Sequence, residues 1–326
     1  MSGRKEAAAP SVLVLLLSVA AVMAYIYFTT VDWPFAHARR SLHNKIIAGT
    51  ADSPYRYRVL IPFAADALTR TLSALFGLRP RSAFLVAYAA YDLLAIFAVL
   101  ATLLSWLRTW FTREQALVGT LFVAGTMPIA LRDHYYQPWS LLEAALFMAA
   151  LLAIERRRSW TLAGLMALAS LNRETAIFIP LAFLLVAGVR GSPSPRLGTW
   201  DLGPGTQFVA LLLIWALVYV GLRWLRGGAP HVESIAGLFA LNTARLNFLT
   251  TLINVGLFLG GFWILALLGF RFSPPLIRRL AWILPPYLAT VILWGVWYEV
   301  RLLMPLYPVL VPMGLSYLYP PRPDRS

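Results

Sequence analysis

The chain has 326 residues, of which 60% are hydrophobic and only 13% charged, with a mean hydropathy of +0.69, a balance that a water-soluble fold cannot bury and a membrane protein can. The formal charge of +14 comes almost wholly from arginine, since Lys5 and Lys45 are the only lysines, and the arginines punctuate hydrophobic runs without forming a basic reading motif, which argues against nucleic acid as a partner. The lack of cysteine excludes disulfides, thiolate metal sites and cysteine nucleophiles.

A hydrocarbon core of about 30 Å needs about 20 helical residues. Apolar runs at 11–30, 82–107, 116–131, 137–154, 159–171, 175–189, 206–224, 248–270, 280–297 and 302–319 therefore predict an all-α polytopic bundle of about ten transmembrane helices. The first run has an alternative as a signal peptide, because Arg4 and Lys5 precede it, but no clean cleavage site follows. Loop arginines such as Arg108, Arg113, Arg156, Arg157, Arg158, Arg278 and Arg279 fall on one side, which the positive-inside rule makes cytoplasmic along with both termini. The segment 31–81 is then a long outer loop that carries excess arginine, and long loops escape that rule. Within it, 59–78 is apolar with Asp66 and Arg70 interrupting, as in a helix lying at the interface. The Gly-, Pro- and Ser-rich 190–205 stretch is a cytoplasmic connector, and residues 1–326 form a single integral membrane domain.

The acidic residues sit with arginines at the ends of the runs expected to face outward. Asp32 directly follows the first run, where a carboxylate fixed at a helix end can take a proton from an attacking hydroxyl, or can simply be a polar boundary residue. In Tyr55-Arg56-Tyr57-Arg58, two arginines alternate with rings and would grip a phosphate from one face if the segment is extended. In the packet 132–138, Asp133 and His134 are candidates for a base, for hydroxyl recognition or for metal ligation, although no ligand spacing accompanies them. Between two runs too short to cross fully, Arg173 and Glu174 would lie below the membrane surface, where ions persist only in a protein-lined cavity. Glu299 and Arg301 form a last cluster between the final two runs, and Asp92 and Glu143 add acids inside spans. The segment with His231, Glu233, Asn242 and Arg245 is long enough to cover a site but carries no specific signal.

A cytoplasmic N-terminus, an acid right after the first helix, a long basic and aromatic first loop, and the segments Tyr55-Arg56-Tyr57-Arg58-Val59-Leu60-x-Pro62 and Asn172-Arg173-Glu174-Thr175 resemble the GT-C class of integral membrane glycosyltransferases. The resemblance implies a bacterial inner-membrane enzyme with its site facing outward. It would move a sugar with inversion from a polyprenyl-phosphate donor to a lipid, glycan or protein acceptor. It also implies that the first-loop acid, by position Asp32, is the base. Many members carry a paired acidic motif there, and Asp32 stands alone, which leaves Asp133 as the other candidate. Arg56, Arg58, Arg173 and Arg301 would stabilise the leaving lipid phosphate, with Glu174 and Glu299 orienting them or binding sugar hydroxyls and His134 as a further substrate-binding candidate. No cofactor is called for, and a divalent metal is left open. The rival expectations are a transporter or flippase for an anionic or lipid-linked substrate, which would distribute polar groups toward both faces, and a non-catalytic envelope-assembly protein.

Overall fold

The computed structural model describes residues 8–131, 138–187 and 203–319. Among these residues there is no strand, and fifteen α-helices follow one another. They are α1 (Ala8–Tyr27), α2 (Ala36–Ile47), α3 (Leu60–Phe76), α4 (Pro80–Leu107), α5 (Arg113–Leu131), α6 (Trp139–Glu155), α7 (Ser159–Asn172) and α8 (Phe178–Ala187). After the connector come α9 (Pro204–Arg226), α10 (Ile235–Thr243), α11 (Arg245–Leu257), α12 (Phe262–Gly269), α13 (Pro275–Leu280), α14 (Leu284–Trp294) and α15 (Tyr307–Leu318).

Seven segments are long and apolar enough to cross a membrane: Pro10–Asp32, Pro80–Leu107, Arg113–Leu131, Pro204–Arg226, Arg245–Phe272, Pro275–Trp294 and Val300–Leu318. The chain is thus a multi-pass helical membrane protein. The runs at 137–154, 159–171 and 175–189 also carry helices, but shorter ones: α6 has 17 residues, α7 has 14 and α8 has 10. Several expected continuous helices are broken. The 248–270 run turns at Phe258–Gly261, where Leu259 and Gly260 adopt φ of 52° and 55°, because the Gly260-Gly261 pair lets the backbone enter the left-handed region. The last run opens with a 3₁₀ segment, Val300–Leu306, that contains Pro305.

Burial separates central from peripheral helices. In the most apolar 18-residue stretch of Val300–Leu318, 89% of the residues are buried, against 6% in that of Pro204–Arg226, so an apolar surface such as that of α9 is left for lipid. α6 is apolar on nearly every face and is enclosed by α4, α7 and α8. The tightest crossing is that of α12 with α15, and glycine makes it possible. A Cβ on Gly269 would lie 1.9 Å from the Met313 carbonyl oxygen, and one on Gly314 would lie 2.1 Å from the Phe262 ring.

The long loop contains two helices. α3 lies where an interfacial helix was expected, but α2 precedes it unannounced. Its buried stripe is Arg39, His43 and Ile46, so a search for apolar periodicity passes over it. Several of the run ends expected to lie on one side are joined to one another or to neighbouring segments. Arg226 donates to the carbonyls of Ile46 and Arg56, Asn172 donates to that of Trp139, Tyr91 donates to that of Pro138, and Asn242 donates to that of Gly295.

Candidate functional site

A cavity of about 790 Å³ opens between the α7–α8 turn, the C-terminal half of α9, the 231–241 stretch and α14. Its charged lining includes Arg58, Arg173, Glu174, Arg223, Glu233 and Glu299, and Trp215, Tyr219, Tyr287 and Trp294 supply aromatic walls.

The short helices on either side of Arg173 determine its depth. α7 ends at Asn172, whose side chain is wholly buried and donates to the Trp139 carbonyl at 3.1 Å. The backbone then extends at Arg173 and restarts as a 3₁₀ turn at Glu174. This places two guanidinium–carboxylate pairs side by side. Arg173 Nη1 lies 2.5 Å from Glu143 Oε2, and Glu143 also accepts from the Thr175 hydroxyl. Arg58 forks onto Glu174, with Nη2 at 2.6 Å and Nε at 3.4 Å, while its guanidinium lies over the rings of Tyr55 and Trp139. Trp215 completes the wall by donating its indole N–H to the Glu174 carbonyl at 3.0 Å. A third pair, Glu299 with Arg301, closes the cavity near α14; only Glu299 faces the space, and Arg301 is 1% exposed behind it.

Arg223 differs from these. Its guanidinium stacks over Tyr219 at 3.4 Å and Tyr57 at 4.3 Å and donates to the Tyr219 carbonyl, and among the described residues no carboxylate lies within ion-pairing distance. The three pairs neutralise themselves, so among the described residues Arg223 is the cavity cation without an ion-pair partner, and Glu233 is the lining's unpaired carboxylate. Elsewhere in the lining, His231 is held by the Ser53–His231 bridge, and its Nδ1 is 2.7 Å from the Glu233 carbonyl oxygen. A carbonyl only accepts, so in the neutral ring Nδ1 carries the proton and Nε2 is left as an acceptor.

Asp32 is not among the cavity-lining residues. It is 2% exposed and belongs to a second buried cluster, in which Arg39 Nη2 lies 2.6 Å from Asp32 and Nη1 3.4 Å from Asp92, with the guanidinium over the Tyr88 ring. Burial opposes the charge on Arg39, but Asp92 and then Asp32 outweigh it and raise its pKa, so it stays ionised. The cluster fastens α2 to the π-helical turn that follows α1 and to the middle of α4. Arg56 also lies away from the cavity. Tyr55–Tyr57 is a 3₁₀ turn and not a strand, so Arg56 and Arg58 diverge, and Arg56 donates to the Gly228 carbonyl at 2.6 Å.

Of the residues singled out in the sequence, Arg58, Arg173, Glu174 and Glu299 thus share one cavity, Arg301 backs it, and Arg56 and Asp32 do not line it. Asp133 and His134 lie outside the described residues. Among the described residues no group of three or more His, Asp or Glu is arranged to hold a metal ion. Arg223 was not singled out in the sequence because it sits in no acid–arginine cluster, and His231 was named only within a segment without a specific signal; the folding of α9 against 53–58 brings them to the wall. Compared with protein-family models, with curated proteins and with solved structures, the chain matches none of them.

Proposed function

We propose that the protein is a membrane glycosyltransferase that moves a sugar with inversion from a polyprenyl-phosphate donor to a lipid, glycan or protein acceptor. In this reading all of the about ten apolar runs cross or enter the membrane, both termini are cytoplasmic, and the cavity faces outward from a bacterial inner membrane. The observation that carries it is Arg223, a guanidinium with no ion-pair partner among the described residues, in a large cavity whose other walls are aromatic rings, self-paired charges and the exposed carboxylate Glu233. Aromatic faces suit sugar rings, and a fixed guanidinium suits phosphate oxygens.

The acceptor oxygen attacks the anomeric carbon, the bond from that carbon to the phosphate oxygen breaks, and the phosphate leaves with the electron pair. Arg223 meets the charge that develops on it, while Arg58 and Arg173, held by Glu174 and Glu143, supply a preorganised wall. The acceptor proton goes to a group open to the cavity. His231 Nε2 fits among the described residues, and Asp133 is the candidate beyond them. Asp32 takes a supporting part, holding α2 through Arg39.

Purified protein incubated with labelled polyprenyl-phosphate sugars tests this by release of the lipid phosphate. Release is expected with one donor class, and Arg223→Gln should weaken donor binding by about tenfold, the worth of one charge-assisted contact. No release across donors and acceptors would overturn transfer in favour of transport, and unchanged affinity in Arg223→Gln would remove that residue from phosphate recognition.

A further inference from the structure

We propose that the groove between α2 and α3 is a docking site for the phosphate headgroup of an anionic phospholipid from the surrounding bilayer. It is separate from the cavity described above and has a volume of about 580 Å³. Arg40, His43 and Asn44 line it from α2, and Asp66, Arg70 and Ser73 from α3. These positions recur at helical spacing, so each helix turns one polar stripe toward the other.

The charges match a phosphodiester. Arg70 is neutralised by Asp66 at 2.8 Å, one turn away. His43 stands at the base of the groove, with Nδ1 3.0 Å from the Tyr88 hydroxyl; burial lowers its pKa and keeps it neutral. Among the described residues no carboxylate lies within ion-pairing distance of Arg40, so the groove holds a single uncompensated positive charge. The side chains of Asn44 and Ser73 carry no hydrogen bond to another described residue and stand free to donate to phosphate oxygens.

Position argues for a lipid as the source. The groove reaches Pro80 and Phe84, and Pro80 is the first residue of a membrane-crossing segment, so the site stands at headgroup level. α3 ends beside it with Leu75 and Phe76 exposed by 72% and 69%, an apolar end suited to acyl chains.

The test is thermal unfolding of the delipidated full-length protein in neutral detergent, titrated with short-chain phosphatidylglycerol, phosphatidylcholine or inorganic phosphate. Phosphatidylglycerol should raise the midpoint saturably and phosphatidylcholine should not. The double variant Arg40→Gln, Asn44→Ala, both exposed positions, should weaken the phosphatidylglycerol response by about tenfold or more. Arg108→Gln, an exposed arginine at the opposite end of α4, should leave it intact. Equal responses in wild type and the double variant, or equal losses in both variants, would overturn the site. An inorganic-phosphate response as large as that of phosphatidylglycerol would overturn the lipid assignment. The readout requires no transfer activity, so its outcome is independent of the function proposed above.

Discussion

The pair Arg173–Glu143 gives the most direct measure of how the cavity wall is held. Both side chains are 9% exposed, the ions are 2.5 Å apart, and the Thr175 hydroxyl provides Glu143 with its second donor. Replacing Arg173 by Met leaves a buried carboxylate with one hydroxyl donor, and replacing Glu143 by Gln leaves a buried guanidinium facing an amide. Breaking a buried pair from one side costs about 3–5 kcal/mol, because the remaining charge has lost its water and its partner. Removing both partners costs far less, since no lone ion remains. The two single variants should therefore each lose about 3 kcal/mol, while the double variant recovers most of that loss. Reversible unfolding in mixed micelles of sodium dodecyl sulfate, followed by tryptophan fluorescence, measures all three. Single-variant losses below about 1 kcal/mol that simply add in the double variant would refute the view that these charges act as one buried unit.

Other predictions follow from specific contacts. Asp32→Asn and Asp92→Asn each leave Arg39 one carboxylate, whereas the double substitution strands a 3%-exposed guanidinium, so the double variant should unfold disproportionately easily; double-variant stability equal to that of the singles would contradict the cluster. Gly314→Ala drives a methyl into Phe262 and should destabilise by about 1–3 kcal/mol, while Gly125→Ala in α5, which meets nothing within 4 Å, should be neutral or stabilising; matching effects at the two sites would dismiss the close α12–α15 crossing. Cysteine placed at Asn44 should react with an impermeant thiol reagent added to intact cells and cysteine at Arg156 should not, and labelling in the reverse pattern would invert the proposed orientation.

Several features were legible in the chain itself because their causes are local. Long apolar runs need no partner to declare a membrane helix, which is why α1, α4, α5 and α9 lie close to their expected limits. The short runs on either side of Arg173 likewise announced a buried polar turn, since a charge at that depth requires a protein-lined space. Helix α2 was not legible, because its buried stripe is made of Arg39 and His43, whose partners Asp32, Asp92 and Tyr88 come from other segments. The alternation in Tyr55–Arg58 promised one shared face, and a 3₁₀ turn separated the two arginines.

Hydropathy and charge placement alone establish a multi-pass helical membrane protein with Arg58, Arg173, Glu174 and Glu299 at the ends of its apolar runs, because hydrophobic length and charge position are local properties. Which guanidiniums pair with carboxylates and which does not emerges only when the chain is folded. That depends on partners such as Glu143 and Glu174, 30 and 116 residues distant from the arginines they hold, and on the absence of one beside Arg223 among the described residues. Asp32 is the clearest case: its place after the first helix pointed to chemistry, and packing against Arg39 enclosed it, since a carboxylate kept from water must be paired where it lies.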